Sequence, residues 1–355
     1  MIPMRTPDPI QEIRLCSLRT IRGANFWSRR PVTRLDVAPG AFDEISSAQS
    51  PEVTDALAAA LPGLAEHRCS VGARGGFLAR LKCGTYAPHI IEHVALELQT
   101  LVGHEVGYGK TRGGDAPGEY TVIIEHRHSD VGLRAAALAL EIVQNAFAGT
   151  LASVEHALLE LRALAALPDL PMPRQRVSCG ITGGAGRRAT RDALIARGLD
   201  PSDLIVDVAP SYILHAGLPY ARSELAIVLD AVVTDVPERY RDPDRARTLV
   251  SVVADAVSPG GWLIAPAGEW EVQRRARDAG CRVAVFATDH DVTRRDAQLA
   301  RAIARVDRDR IVLTRDGVAA DGGTLRRDVP IAPQMAAALA VFSAQERAST
   351  RMAAP

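Results

Sequence analysis

The second half of the chain alternates short apolar runs with amphipathic stretches, and this rhythm constrains its fold more than any other feature. Helical stretches separate the apolar runs, which lie at residues 177–182, 204–208, 225–229, 261–265 and 282–286. Buried strands that alternate with helices are typical of a mostly parallel sheet covered by helices on both faces. The sequence therefore predicts a doubly wound α/β fold for residues 177–345.

The first half has a different organisation. Strands are predicted at residues 13–18, 33–37 and 120–125, and helices at 51–61, 88–102, 132–148 and 153–166. This mixture predicts an α+β domain over residues 13–166. Residues 167–176 contain three prolines and show no periodicity, so they are expected to link the two domains. Residues 1–12 are expected to form a loose leader, and residues 346–355 a tail.

Composition limits the classes of partner. The 355 residues suffice for two domains, and 42 basic against 42 acidic residues give zero net charge. Zero charge argues against nucleic acid or an anionic membrane as the main partner. No apolar run reaches the length of a transmembrane helix, and the first residues lack the apolar core of a signal peptide. We therefore expect a cytoplasmic protein.

Residues 89–93, HIIEH, carry the strongest chemical signal. His89 and His93 lie four residues apart on a predicted helix, so their imidazoles project from one face and can reach one tetrahedral zinc ion. Glu92 borders the same face and could accept a proton from metal-bound water. HxxEH is the inverted order of the HExxH pattern of zinc hydrolases. The spacing therefore predicts a zinc site with Glu92 as its base.

A catalytic zinc also needs a third protein ligand and an open position. Two residues are candidates: Glu125, at the end of a predicted strand, and Cys69, in a glycine-rich loop. The sequence leaves the choice between them open. Glu97 lies about 12 Å from His89 along the helix axis, too far to share the ion, and is expected to orient His93 from outside the ligand shell.

Several longer segments of the first half match one known family in order and spacing. They are LRTIRGANFWS at 18–28, EHRCS at 66–70, RGGF at 74–77, HIIEHVALELQ at 89–99, VGYGKTR at 106–112 and VIIE at 122–125. On these segments, residues 13–165 resemble the N-terminal domain of cyanophycin synthetases. Cyanophycin is a polyaspartate backbone with arginine on each β-carboxyl. In some members of the family this domain looks like a metallopeptidase that cuts the polymer.

The resemblance implies roles for particular residues. It maps the two histidines of HIIEH to metal ligands and Glu92 to the base that activates water. Nearby, Arg74, Lys110 and Arg112 would either contact substrate carboxylates or form solvated basic turns.

The second half carries a glycine-rich loop between a predicted strand and a predicted helix. Gly180, Gly183 and Gly186 precede Arg187 in an arrangement similar to the phosphate loop of Mur ligases, which form the C-terminal part of cyanophycin synthetases. Arg187 stands where that loop has lysine, and the next arginine stands where a hydroxyl binds Mg²⁺. The ATP-grasp domain that separates the two parts in the synthetases has no counterpart here. The resemblance thus implies a degenerate loop, and no ATP is expected as a cofactor.

Together these features predict a zinc-dependent peptidase, a hydrolase of cyanophycin or a related β-aspartyl-arginine peptide. Zn²⁺ is its expected cofactor, and the second domain is expected to be a non-catalytic scaffold. The main alternative is a non-catalytic pseudo-synthetase that binds the polymer or associates with an active cyanophycin synthetase. ATP-dependent ligase activity is not expected. The expected partners are a cyanophycin-like peptide or polymer and further copies of the chain in a homo-oligomer.

Overall fold

The computed structural model describes residues 7–169, 175–199, 203–288 and 292–352, with side chains described as far as residue 344. The chain folds into two units. The first comprises Met1–Arg22 and Arg30–Pro171, and the second comprises Gly23–Arg29 and Met172–Pro355. Parts of the predicted leader, linker and tail, namely residues 1–6, 170–174 and 353–355, lie outside the described residues.

The first unit is a four-stranded antiparallel sheet with helices packed on it. Its strands are β1 (Arg14–Ile21), β2 (Val32–Ala38), β3 (Gly109–Gly113) and β4 (Tyr120–Glu125), in the spatial order β1-β2-β4-β3. Its helices are α1 (Pro9–Glu12), α2 (Pro51–Ala60), α3 (Gly76–Cys83), α4 (Ala87–Leu101), α5 (Ser129–Phe147) and α6 (Glu155–Ala165). The predicted α+β class is confirmed by this arrangement.

Helix α4 runs through the core of the first unit. Pro88 lies in its first turn, where the missing N–H costs no helical hydrogen bond, and apolar side chains such as Ile91 and Leu98 join the hydrophobic core. The helix packs against α5 and β4. Glu92 and His93 are nevertheless buried on the same helix. Buried polar groups are costly without hydrogen-bond partners, so the surroundings of these two residues decide what they can do.

The second unit is built on an eight-stranded sheet. Its strands are β5 (Arg176–Thr182), β6 (Ile205–Asp207), β7 (Arg222–Val228), β8 (Val257–Pro266), β9 (Arg282–Phe286), β10 (Ala302–Asp307), β11 (Arg310–Arg315) and β12 (Val318–Thr324). Their spatial order is β12-β11-β10-β9-β8-β7-β5-β6. All pairs from β6 to β10 are parallel, whereas β10, β11 and β12 pair antiparallel. The predicted mostly parallel α/β class is confirmed, and the antiparallel end of the sheet is an addition that the sequence did not predict.

Helices connect the parallel strands of the second unit. They are α7 (Arg187–Ala196), α8 (Pro210–Ala216), α9 (Pro243–Val250), α10 (Val252–Asp255), α11 (Trp270–Asp278), α12 (Arg294–Leu299) and, after the last strand, α13 (Ile331–Met352). Among the described helices of both units, none combines the length and the apolar character needed to cross a membrane.

The segment Gly23–Arg29 belongs to the second unit, although the sequence places it within the first domain. The carbonyl of Ala24 accepts a hydrogen bond from the amide of Leu218 at 2.8 Å. The indole N–H of Trp27 donates to the carbonyl of Leu214 at 3.1 Å. These bonds attach an early stretch of chain to the second unit through backbone groups, which residue patterns do not reveal.

Candidate functional site

The first unit contains a cavity of about 620 Å³ that holds the HIIEH residues. Residues 66–70 form one wall, His89, Glu92, His93 and Leu96 of α4 form the floor, and residues between 106 and 111 close the other side. The predicted metal ligands and the predicted base therefore share one solvent-connected space.

Three residues in this cavity form a group that could hold a metal ion. One ligand atom each from Cys69, His89 and His93 lies within 4.8 Å of the other two. The Cys69 Sγ atom is 3.5 Å from His89 Nε2. Thiolate and neutral imidazole are preferred zinc ligands, so the chemistry of this donor set fits Zn²⁺.

Glu125, the other candidate for the third ligand, lies apart from this group. Its Oε1 accepts a hydrogen bond from Arg30 at 2.7 Å, and its Oε2 accepts one from the Tyr108 amide at 3.2 Å. Because both carboxylate oxygens are engaged at the end of β4, Glu125 secures the backbone that leads into β3. The structure thus brings Cys69, and not Glu125, to the two histidines.

Hydrogen bonds orient the two histidine rings. His89 Nδ1 lies 2.8 Å from the Thr85 hydroxyl, which directs Nε2 toward Cys69. His93 Nδ1 lies 2.9 Å from Nδ1 of His67, whose Nε2 lies 3.0 Å from the Glu97 carboxylate. A carboxylate only accepts, so His67 donates to Glu97 through Nε2 and accepts from His93 at Nδ1. This tautomer leaves Nε2 of His93 as a free acceptor.

Glu97 was expected to orient His93, and the structure connects the two through His67. The sequence patterns did not predict a role for His67. Its only sequence signal is its position two residues before Cys69 in the EHRCS segment. Hydrogen bonds that connect a carboxylate, a histidine and a metal ligand in series are common around protein metal sites, because they hold the ligand in one tautomer.

Burial shifts the pKa values of the cavity residues. It lowers the pKa of His93 to about 3, with the nearby rings of His89 and His67 adding to the effect. It also lowers the pKa of His89. Burial raises the pKa of Glu92 to about 7, although the Thr111 hydroxyl donates to its carboxylate at 2.6 Å. Near neutral pH both ligand histidines are thus uncharged and can bind a cation.

The predicted basic residues have different surroundings. Lys110 is exposed and lines the cavity. Arg74 is exposed and pairs with Glu66. Arg112 lies on β3, with its side chain half-buried, outside the set of residues that line the cavity. Of these three residues, only Lys110 contributes to the wall of the cavity.

The glycine-rich loop of the second unit has internal partners. The amides of Gly184 and Ala185 donate to the two carboxylate oxygens of Asp230, at 2.8 and 3.3 Å. The Arg187 guanidinium turns back and donates to the carbonyls of Gly183 and Gly184. Asp230, for which the sequence predicted no role, therefore takes the backbone donors that a phosphate would need.

The remaining glycines of the loop are required by close packing or by backbone shape. Gly180 lies within β5, where a Cβ atom would come 2.0 Å from the Tyr220 hydroxyl. Gly183 and Gly186 have φ values of 130° and 81°, which favour glycine. Glycine is therefore required at these positions by the fold itself, whether or not a nucleotide binds.

Residues 34–148 match a family described as the cyanophycin synthase-like N-terminal domain. The first unit contains a cyanophycin synthase-like N-terminal domain. The residues that line its cavity, from Glu66 to Thr111, lie within the matched region.

Three relatives of this chain share the name cyanophycin synthetase. The chain is 43% identical over 137 residues to a cyanophycin synthetase of Trichormus variabilis, which covers 38% of this chain and 15% of the relative. It is 45% identical over 130 residues to a cyanophycin synthetase of Synechocystis, covering 36% and 15%. It is 40% identical over 187 residues to that of Crocosphaera subtropica, covering 51% and 21%. The chain thus matches only about a fifth, or less, of the length of these relatives.

Solved structures similar to this chain include Mur ligases. MurF ligase from Thermotoga maritima, in complex with ADP, has a TM-score of 0.35 at 8% identity and covers 49% of this chain and 46% of its own. MurF from Acinetobacter baumannii has a TM-score of 0.33 at 11% identity, covering 48% and 43%. Similarity at this level carries no conclusion about the second unit, whose α/β class rests on its own sheet order.

The predicted zinc-dependent peptidase is wrong. The relatives of this chain described above are named cyanophycin synthetases, and not hydrolases. The prediction of a metallopeptidase is wrong for the same reason. The names of these relatives also contradict the prediction that ligase activity is not expected. The HIIEH spacing misled because two histidines one helical turn apart can bind an ion without hydrolysing anything.

Proposed function

We propose that the first unit binds a cyanophycin-like peptide in the cavity at Cys69, His89 and His93, and that the chain serves cyanophycin synthesis in this way. The observation that carries the proposal is the position of this cavity within the region that matches the cyanophycin synthase-like domain. Its volume of about 620 Å³ lies in the range of small-ligand sites, roughly 300–1,000 Å³.

The charges on the cavity wall suit such a peptide. Each β-aspartyl-arginine unit carries a guanidinium and a carboxylate. The wall offers the cationic side chains of Arg68 and Lys110 and the carboxyl groups of Glu66 and Glu92. A ligand with both signs of charge can pair with both sets, and it can displace the exposed pair that Glu66 forms with Arg74.

Zinc is the second part of this proposal. Cys69, His89 and His93 would hold the ion, and a bound cation supplies a positive centre that attracts a carboxylate or carbonyl oxygen of the peptide. The residues around the ligands favour binding before any ion arrives. Thr85 and the pair of His67 and Glu97 hold the two rings with Nε2 available, and burial keeps both rings neutral near pH 7.

Titration calorimetry of the whole chain with a short synthetic β-aspartyl-arginine peptide tests the proposal. We expect saturable binding that weakens about tenfold in Lys110→Gln, because one charge-assisted contact is lost. Lys82→Gln is the matched control, since Lys82 is exposed on α3 and does not line the cavity. Absence of binding, or equal losses in both variants, would contradict the proposal.

Elemental analysis tests the zinc part separately. Protein equilibrated with zinc and then desalted should retain one ion per chain, and Cys69→Ser and His89→Asn should lose it. Cys83→Ser is the control because Cys83 is exposed at the end of α3 and lies outside the ligand group. Retention of zinc in the ligand variants would disprove this assignment while leaving the peptide titration as an independent result.

A further inference from the structure

Strand β3 forms one edge of the sheet of the first unit. Among the described strands it pairs only with β4, which lies between β3 and β2. Its sequence is GKTRG, and Gly109, Lys110 and Thr111 also line the cavity that holds the HIIEH residues. An edge strand carries backbone N–H and C=O groups that its single neighbour does not use. This edge therefore brings unused backbone groups to the cavity wall.

The pairing with β4 determines which backbone groups of β3 remain unused. In an antiparallel pair, residues that bond to the neighbouring strand alternate with residues whose backbone groups point away from it. The carbonyl of Tyr108 accepts from the amide of Glu125 at 2.9 Å, and the next even-numbered residues of β3 continue the same register toward β4. Gly109 and Thr111 alternate with them, so their N–H and C=O groups point away from β4.

These backbone groups of Gly109 and Thr111 are available to a ligand. In the part of the chain that the structure describes, no other segment forms a hydrogen bond with either amide or either carbonyl. Both residues are half-buried, so the groups lie within the cavity wall rather than on the open surface. Backbone polar groups removed from the surface in this way are strong hydrogen-bonding sites when a partner of matching geometry arrives.

Contacts with α4 fix the position of this edge. The Thr111 hydroxyl donates to the carboxylate of Glu92 at 2.6 Å, and a Cβ atom on Gly109 would come 2.5 Å from Glu92 Oε1. The side of β3 that carries these two residues therefore faces α4, which forms the floor of the cavity. A strand added beside β3 would continue the sheet, and every second one of its side chains would point toward the same floor.

The charges beside this edge favour one kind of added strand. Lys110 is exposed on β3, and the carboxyl group of Glu92 lies on the side that faces α4. A second copy of β3 would place Lys110 and Arg112 against the same two basic residues, which disfavours pairing between copies. A peptide whose residues carry both carboxylate and guanidinium groups can pair with Lys110 and with Glu92.

We propose that the edge of β3 binds the main chain of the cyanophycin-like peptide as an added strand, through the backbone groups of Gly109 and Thr111. This inference rests on the proposed function, which supplies the occupant, and it names the part of the peptide that is recognised. That part is an extended, α-linked main chain, whose branches point alternately toward α4 and away from it. In such complexes the main-chain hydrogen bonds supply affinity, and the cavity that receives the side chains supplies specificity.

Methylation of peptide amides tests the proposal without altering the protein. The probe is a synthetic tetra-aspartate with arginine on each β-carboxyl, titrated into the whole chain by calorimetry. Methylation of two adjacent main-chain amides places one methyl group against β3 in every register, because every second amide of an added strand faces its neighbour. We expect binding to weaken at least about tenfold, because a hydrogen bond is lost and the methyl group obstructs the pairing.

The matched control peptide carries two methyl groups on the amides that join arginine to the β-carboxyls. It has the same charges and composition, and it should bind within about threefold of the unmethylated peptide. If the unmethylated peptide does not bind, the proposed function fails and this inference fails with it. If it binds, and main-chain methylation weakens binding no more than methylation of the branches, the edge-strand proposal is overturned while the proposed function stands.

A protein variant supplies a second measurement. Thr111→Pro removes an amide that makes no hydrogen bond to β4, and proline is tolerated at such positions of edge strands. Thr111→Val is its control, since it also loses the hydroxyl that contacts Glu92 but keeps the amide. We expect the proline variant to bind the unmethylated peptide at least about tenfold more weakly than the valine variant. Equal affinities would contradict the proposal, and the peptide series is independent of any effect of proline on folding.

Discussion

Single side chains decide whether the cavity of the first unit can accept a cation. His93 has two ring nitrogens, and only the one without a proton can bind a metal. Its Nδ1 is engaged by His67, which in turn is held by Glu97. Glu97 is tightly enclosed, since a Cβ on Gly63 would come 1.9 Å from its Oε1. The carboxylate therefore controls a ligand that it does not touch.

Replacement of Glu97 tests whether this carboxylate sets the tautomer of His93. Glu97→Gln keeps the shape of the side chain but can present an amide donor to His67, which disturbs the tautomers of both rings. We expect the affinity for zinc to fall by about 10- to 100-fold, measured by competition with a chromophoric chelator. Glu105→Gln, an exposed change after α4, should leave the affinity unaltered. A Glu97→Gln protein that binds zinc as tightly as the parent would disprove the role of the hydrogen bonds that connect Glu97 to His93 through His67.

His126 is a buried residue outside the cavity whose titration should govern acid stability. Its ring lies 3.1 Å from the Thr33 hydroxyl and 3.3 Å from the Thr20 hydroxyl. Burial lowers its pKa to about 4, with His128 and Arg22 adding to the effect and the carboxylates of Asp169 and Glu125 opposing it. Because the folded-state pKa lies below the ordinary value of 6.5, the unfolded chain binds this proton more readily.

Acid should therefore destabilise the folded protein through His126. The contribution of His126 to stability is intact above pH 6.5 and declines as the pH falls toward 4. Between pH 7 and pH 4.5 the loss should be about 2 kcal/mol in the free energy of unfolding. Urea unfolding followed by circular dichroism should show that His126→Gln removes this part of the pH dependence. His156→Gln, an exposed change on α6, should not remove it, and equal pH profiles for all three proteins would refute the assignment.

At the scale of elements, the backbone amides before α7 find their hydrogen-bond acceptor within the second unit. The loop before this helix offers two amides to Asp230, a residue that follows β7. A Cβ on Gly184 would come 1.9 Å from the carbonyl of Val232, so the loop and the segment after β7 are in close contact. The carboxylate thus links two segments that would otherwise both expose polar backbone.

Removal of this link should destabilise the second unit. Asp230→Ala leaves the amides of Gly184 and Ala185 without their acceptor, and we expect a loss of about 1–3 kcal/mol in the free energy of unfolding. Asp230→Asn keeps one acceptor oxygen and should cost less. Asp192→Ala, an exposed change on α7, is the control. If the alanine and asparagine variants unfold at the same denaturant concentration as the control, the carboxylate has no such role.

At the scale of the whole molecule, the two units have separate cores and can be observed separately. One core contains residues of β2, β4 and the helices from α2 to α6, and the other contains residues of the eight-stranded sheet with α7 and α13. All three tryptophans, Trp27, Trp262 and Trp270, belong to the second unit. Tryptophan fluorescence therefore reports the unfolding of the second unit alone.

The segment Gly23–Arg29 gives this assay a specific use. Gly23→Ala would bring a Cβ atom to 2.2 Å from the Leu218 carbonyl, which is backbone and cannot move aside easily. We expect the fluorescence transition to shift to lower temperature, corresponding to about 1–3 kcal/mol. Gly113→Ala in β3, where nothing lies within 4 Å of the new atom, should leave it unchanged. An unshifted transition for Gly23→Ala would mean that this contact is not required.

The local sequence pattern was sufficient to predict those helices and strands whose own residues show a clear helical or strand periodicity. The predicted helix at 88–102 corresponds to α4 at Ala87–Leu101, and the predicted strand at 120–125 coincides with β4. By contrast, β3 has the sequence GKTRG, which contains no apolar residue, and forms because β4 offers it a partner at the sheet edge. Strands β10 to β12 were also not predicted, since their identity as strands depends on pairing with one another and with β9.

The same division applies to the candidate site. The sequence by itself determined that His89 and His93 share a helix face, because the geometry of a helical turn links residues four apart. Only the tertiary structure decided that Cys69 joins them, that Glu125 does not, and that Asp230 occupies the glycine-rich loop. These partners come from segments distant in sequence, and side chains of that kind meet only when packing of the core brings their backbones together.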